Sequence, residues 1–383
     1  MKVFKIFLIN FFLLFFFLWI AELSINYKKG NLFKKTRLHY LNKDKFKKKE
    51  NIYLNFGGYK FLDKKKLIYP LSGYDNSVTL LCLNERNEPI YFKSDDYGFR
   101  NQNRDDNIDI LLIGDSYVQG MCVDNENNLN AQLLKKKIKT TSLGIGGNGP
   151  LLEYATFKEY QKNYEFKNVI LFITLENDYY DLSNESKNTT LMRYLNDKNF
   201  TQRLTENKNK IFKKELLDSY FGNTNRLFND FFSVYHFNFK EISNLIKPFF
   251  KKKTLNNNFD YFEDSKLDEL YYNILSQFKL ISNIKKANFY VVFNLVEPNF
   301  LYPTSKVEKQ YNKLIFNKMN LIKNFLDRNK IIYYDHNEYT KLNYELQNIS
   351  EVYNHINGRW DHYTNKGYYE ITDQMLKKFK LNN

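Results

Sequence analysis

The stretch Ile110 to Gly120, Ile-Leu-Leu-Ile-Gly-Asp-Ser-Tyr-Val-Gln-Gly, limits what this chain can fold into more than any other. Four aliphatic residues follow Asp109 without a break, and such a run closed by glycine marks a strand buried on both faces of a parallel sheet. From Asn127 to Lys139, Leu129, Leu133, Leu134 and Ile138 recur at helical spacing. Ser116 therefore falls at a strand-to-helix switch beyond the carboxyl end of a strand, where open α/β sheets keep their chemistry. Turn residues belong at such a switch whatever the function, so Gly114-Asp115-Ser116 alone does not decide.

Three further stretches do. Ser142-Leu-Gly-Ile-Gly-Gly-Asn-Gly-Pro150 follows a second expected strand end. Val169 to Leu175 is another apolar run, ending on Glu176-Asn177-Asp178, and Asp361-His362-Tyr-Thr-Asn-Lys-Gly367 precedes a closing amphipathic helix. Ser, Gly, Asn and His thus occur in that order, each at a strand end or just before a helix. From about Asp109 to Lys380 the chain resembles the SGNH/GDSL hydrolase superfamily, named for those four residues. The resemblance implies an α/β fold of the flavodoxin-like three-layer SGNH type with a parallel sheet, and no cofactor. It makes Ser116 the nucleophile and His362 the general base, with Gly147 and Asn177 the second and third signature residues. Gly114, Asp115 and Asp178 complete the motifs around them. The last block is normally Asp-x-x-His, but the residue three before His362 is Arg359. Asp361 and Asp335, which ends an expected strand, are left as candidate acids.

Elementary chemistry asks for these residue types. A serine hydroxyl is a weak nucleophile until a base takes its proton, and imidazole titrates where it can do so at neutral pH. Of the five histidines, His39, His236 and His336 sit away from the motifs, and His355 is the one rival to His362. A tetrahedral intermediate needs donors, which the Ser116 N–H, the Gly147 N–H and the Asn177 amide can supply as an oxyanion hole. Gly147 suits the task because a residue without Cβ lets its N–H approach substrate closely. Asp361, next to the histidine in extended chain, is expected to point away from the ring. A Ser-His dyad and a triad with a borrowed acid both remain open. A nucleophile elbow would need glycine where Val118 stands. No Gly-Lys-Ser/Thr follows Gly144 to Gly149, so the loop is not a phosphate cradle. No metal constellation is present.

The formal charge of +15 raises the question of nucleic acid. The lysines are scattered among Asn, Ile, Phe and Tyr with no recognition motif, so none is expected as a partner. Residues 1–26 read as an N-terminal transmembrane signal anchor: from Ile6 only Asn10 and Glu22 interrupt about 20 apolar residues, enough for about 30 Å of hydrocarbon. No small-x-small cleavage site follows Trp19, which argues against a cleaved signal. Lysines flank the run on both sides, so charge alone does not orient it. By resemblance to envelope members, the catalytic domain is expected on the extracytoplasmic side of a single-pass membrane protein.

Residues 27–50 form a lysine-rich linker. Residues 51–108 are expected as a β-hairpin extension, with strands Val78 to Leu83 and Ile90 to Lys93, leading to Asp-Asp-Tyr-Gly-Phe-Arg100. Residues 109–383 form the hydrolase domain. A helix is expected over Leu151 to Phe166. A mostly helical insertion at about 181–264, with helices at Asn207 to Tyr220, Asn225 to Phe237 and Phe239 to Phe250, is either a cap near Asn177 or a packing excursion. Later elements are a helix Leu267 to Ile284, a strand Phe289 to Phe293, a helix Val307 to Asn329, a strand Ile331 to Tyr334 and a helix Asn365 to Leu381. Cys82 and Cys122, the only cysteines, are expected as free thiols.

The expected function is a serine ester hydrolase or O-acyl/acetyltransferase working through acyl-Ser116. The resemblance implies O-acylated envelope carbohydrate as its substrate. The alternative is a non-catalytic glycan-binding protein of the same fold, which the displaced acid would suit.

Overall fold

The structure is a computed structural model that describes residues 2–28, 52–62, 68–84, 88–101, 105–221, 260–294, 298, 301–303, 305–356 and 359–381. Side chains of 2–8, 25–28, 219–221, 260, 355–356 and 359–361 fall outside the described set. The chain divides into two compact units, Met1–Glu50 with Tyr220–Asn258, and Asn51–Ser219 with Phe259–Asn383. In the first, helix α1 spans Lys2–Lys28. Among the described residues no helix is long and apolar enough to cross a membrane. Part of the expected anchor, and the expected helices at Asn225 to Phe237 and Phe239 to Phe250, lie outside the described residues.

The second unit begins with a three-stranded sheet, β1 (Ile52–Leu54), β2 (Val78–Leu83) and β3 (Pro89–Lys93), in the order β1-β2-β3. The expected hairpin is its antiparallel β2–β3 pair. The parallel strand β1 was not anticipated, because three residues are too short to show a period.

Five strands make the main sheet: β4 (Asn107–Ile113), β5 (Thr140–Ser142), β6 (Glu165–Ile173), β7 (Asn288–Phe293) and β8 (Ile332–Asp335). All pairs are parallel and the order is β5-β4-β6-β7-β8. Numbered along the chain within the sheet this is 2-1-3-4-5, so the order reverses between β4 and β6, the switch point where doubly wound sheets open a crevice.

Alternation along the strands sorts residues between two helical layers. Ile110, Leu112, Ile170, Phe172, Tyr290 and Val292 pack with Leu129 and Leu133 of α3 (Leu129–Lys135) and with Ile371, Met375 and Phe379 of α11 (Asn365–Phe379). On the other face Phe289 stacks at 5.7 Å on Phe278 of α8 (Ser265–Ile284), which stacks at 4.9 Å on Phe157 of α4 (Pro150–Tyr160).

The remaining α-helices among the described residues are α2 (Ser116–Gln119), α5 (Leu175–Glu185), α6 (Thr189–Asn196), α7 (Asn207–Phe221), α9 (Lys306–Arg328) and α10 (His336–Asn343). A last antiparallel pair, β9 (Tyr353–Ile356) and β10 (Arg359–Tyr363), carries the histidine. Two boundaries differ from expectation. The helix expected to Phe166 ends at Tyr160, because Tyr164 is already extended and β6 starts at Glu165. The run expected as strand to Leu175 stops at Ile173, where α5 begins one residue on from Thr174.

Candidate active site

Ser116 opens α2 immediately beyond β4, and its N-cap is Asp115, whose Oδ1 accepts from the Tyr117 N–H at 2.9 Å. The turn is tight: a Cβ on Gly114 would lie 2.5 Å from Val118 Cγ2 and 3.1 Å from Phe172 Cβ. Only glycine lets β4 hand over to α2 this close to β6.

His362 lies on β10 with Nε2 2.6 Å from Ser116 Oγ. Its ring sits 4.8 Å from that of Tyr117, which also meets Tyr363 at 4.8 Å. Asn354 Nδ2 donates to the Tyr363 carbonyl, and Tyr368 Oη to the Tyr117 carbonyl, tying strand, α11 and α2 together. Between Trp360, paired with His355, and Tyr363, paired with Tyr353, the register slips. Two residues of β10, Asp361 and His362, therefore oppose one of β9, the pattern of a β-bulge, which re-aims side chains. Regular alternation, from which Asp361 was expected to point away, does not hold there; its side chain and that of His355 lie outside the described residues.

Asp335, the other candidate acid, has both carboxylate oxygens engaged by other groups. It caps α10 through the Asn337 N–H and pairs with Lys323 Nζ at 2.6 Å, on the edge strand farthest from β5. His336 is buried, pulled down to about 3 by burial, and bonded through Nδ1 to the Tyr334 hydroxyl.

The loop after β5 wraps over α2. Gly146 lies against Ser116, since a Cβ there would sit 3.5 Å from Ser116 Cβ. Its N–H donates to Gln119 Oε1, and Gln119 exchanges hydrogen bonds of 2.9 and 3.1 Å with Asn55 from the end of β1. Gly147 has φ +76, and a Cβ on it would reach 2.6 Å from the Tyr59 ring. Among the described residues neither the Ser116 N–H nor the Gly147 N–H donates a hydrogen bond. Asn177 stands in the first turn of α5, at the other side of the switch point, with Oδ1 buried and unbonded.

Carboxyl groups gather beneath these elements. Burial pushes Asp115 up, opposed by the Tyr117 N–H, the His362 imidazole, the Asn177 amide and the Thr174 hydroxyl. Among the described residues Asp115 Oδ2 has no hydrogen-bond partner. Burial and then Asp115 raise Asp178 well above the carboxylate range, while its Oδ2 accepts from Tyr271 Oη and the Thr174 N–H. Asp181 is pushed up to about 8 by burial, then by Glu185 and Asp115. Glu185 accepts from the N–H groups of Gly149, Leu151 and Leu152, so a side chain of α5 caps α4.

Arg100 closes the Asp-Asp-Tyr-Gly-Phe-Arg element. It is buried, donating to the carbonyls of Gln119, Gly120 and Val123 and to Asn125 Oδ1, and so clamps the chain that leaves α2. Asn55, Gln119, Arg100 and Tyr59 are not singled out as site residues by the sequence. Neither Cys82 nor Cys122 is in a disulfide, and among the described residues no group of acids, histidines and cysteines is arranged to hold a metal.

No family model matches the sequence, and no curated protein matches it. Among solved structures, one match is the crystal structure of the acetyl xylan esterase AlAXEase, at 13% identity and a TM-score of 0.36, covering 70% of this chain and 98% of that chain. At that level of similarity no function passes from one chain to the other.

Proposed function

We propose that this chain is a serine-dependent ester hydrolase or O-acyltransferase of the SGNH type, acting on O-acylated carbohydrate of the cell envelope. The observation that carries the proposal is the 2.6 Å contact between His362 Nε2 and Ser116 Oγ at the sheet's switch point. Nucleophile and base within hydrogen-bond reach are what acyl transfer requires. His362 takes the hydroxyl proton as Ser116 Oγ attacks the ester carbonyl. The oxyanion is met by the N–H groups of Ser116 and Gly147 and by the Asn177 amide. His362 then returns the proton to the leaving alcohol, and the acyl group passes from Ser116 to water or to a sugar hydroxyl.

Labelling by a fluorophosphonate tests the nucleophile. The native chain is expected to label, and Ser116→Ala and His362→Ala are each expected to abolish labelling. A native chain that does not label sinks the catalytic proposal and leaves a glycan-binding protein. Acetate release from an acetylated glycan, with and without an added acceptor, separates hydrolysis from transfer.

A further inference from the structure

Two tyrosines flank the site with much of their rings in solvent. Tyr59, in the 3₁₀ turn Gly58–Phe61 after β1, is 49% exposed, and Tyr180 of α5 is 56% exposed. Tyr59 lies on the Gly147 side. A Cβ on Gly147 would come within 2.6 Å of its ring and one on Gly57 within 2.7 Å, so two glycines make room for the ring and hold it against the loop that touches Ser116. Tyr180 lies on the Asn177 side: it is three residues on in the same helix and therefore on the same face. Its ring meets Tyr261 edge-on at 5.7 Å.

We propose that Tyr59 and Tyr180 are stacking platforms for sugar rings on either side of the scissile ester, a binding role that rests on the carbohydrate-ester function proposed above. Both side chains stay about half exposed, so a ring face is open to a ligand. A ring fixed by close backbone contact loses little entropy on binding, which makes it a pre-organised surface. The surroundings select the ligand. Each phenol pairs an apolar face with a polar rim. Tyr59 lies on glycine backbone with the Lys60 ammonium 5.8 Å from its ring centroid, and Tyr180 lies against the Tyr261 ring. A pyranose, with C–H faces and a hydroxyl edge, matches apolar discs set in a polar rim. An acyl chain would require a continuous apolar groove.

Isothermal titration of the Ser116→Ala chain with neutral β-linked hexasaccharides of xylose, glucose and N-acetylglucosamine reads binding without turnover. At least one is expected to bind. Tyr59→Ala and Tyr180→Ala are each expected to weaken it about tenfold, the worth of one good ring contact, and Tyr59→Trp to restore it. Absence of binding to all three sugars, or binding untouched by both alanine substitutions, overturns the proposal. So does slower fluorophosphonate labelling of Tyr59→Ala with Ser116 in place, which would mean that the ring only props the Gly147 loop. Failure of the native chain to label at all would sink the serine mechanism and leave the binding result standing, so the two failures are separable.

Discussion

The approach of Ser116 to His362 is set by residues that do no chemistry. Gly114 removes a side chain that would strike Val118, and the irregularity in β10 turns His362 toward α2. Tyr117, in contact with both the imidazole and Tyr363, fills the space behind the ring. Packing and backbone thus position the ring, and an orienting acid would act on its tautomer and on the imidazolium. In a Ser-His dyad, Asp361→Asn keeps fluorophosphonate labelling within about tenfold of the native rate, since general-base catalysis persists while the imidazole is held in place. A loss near the roughly 10⁴-fold caused by neutralising the acid of a Ser-His-Asp triad would make Asp361 the third member. The measurement is direct because the substitution changes charge and tautomer control and leaves the bulge intact.

At the scale of elements, α7 is fastened to the N-terminal sheet region. Lys213 of α7 is buried, with Nζ 2.5 Å from Asp75 Oδ1, 3.1 Å from Ser72 Oγ and 3.3 Å from the Tyr97 carbonyl. One turn on, Asp218 accepts from Tyr74 Oη. Burial pulls Lys213 below the usual lysine range while Asp75 opposes it. Lys213→Met is expected to cost about 3 kcal/mol in urea unfolding, the low end for breaking a buried pair, because Asp75 keeps 22% of its side chain exposed. Adding Asp75→Asn should recover part of that loss, and strictly additive effects would show that the pair is not coupled.

Such ties explain what the sequence could and could not reveal. The strands β4, β6 and β7 and the helices α8, α9 and α11 were legible because each is a long periodic or continuous apolar segment. Ser116 and His362 were legible because their motifs are local. The roles of Gln119, Arg100 and Tyr59 were not, because each acts on backbone or side chains far along the chain: Tyr59 reaches Gly147, Gln119 reaches Asn55, and Arg100 reaches Val123. The β10 irregularity was hidden as well, since a bulge leaves no period to read.

At the scale of the whole molecule, we propose that the apolar helix α1 attaches the chain to a membrane. The described side chains of α1 include Ile9, Phe12, Leu14 and Phe17, each at least 59% exposed, a run of apolar surface that needs a partner. Two attachments are physically distinct. One is burial of this apolar helix in lipid; the other is attraction of a chain of formal charge +15 to an anionic surface. Salt separates them, since the Debye length falls from about 10 Å at 0.1 M to about 3 Å at 1 M, while apolar burial is not screened. Membranes washed with 1 M NaCl are expected to retain the chain, and detergent is expected to release it. Deleting residues 6–25 should move it to the soluble fraction even though the lysines remain. Release of the intact chain by salt alone would assign attachment to the lysines and remove the anchor from the account of this protein.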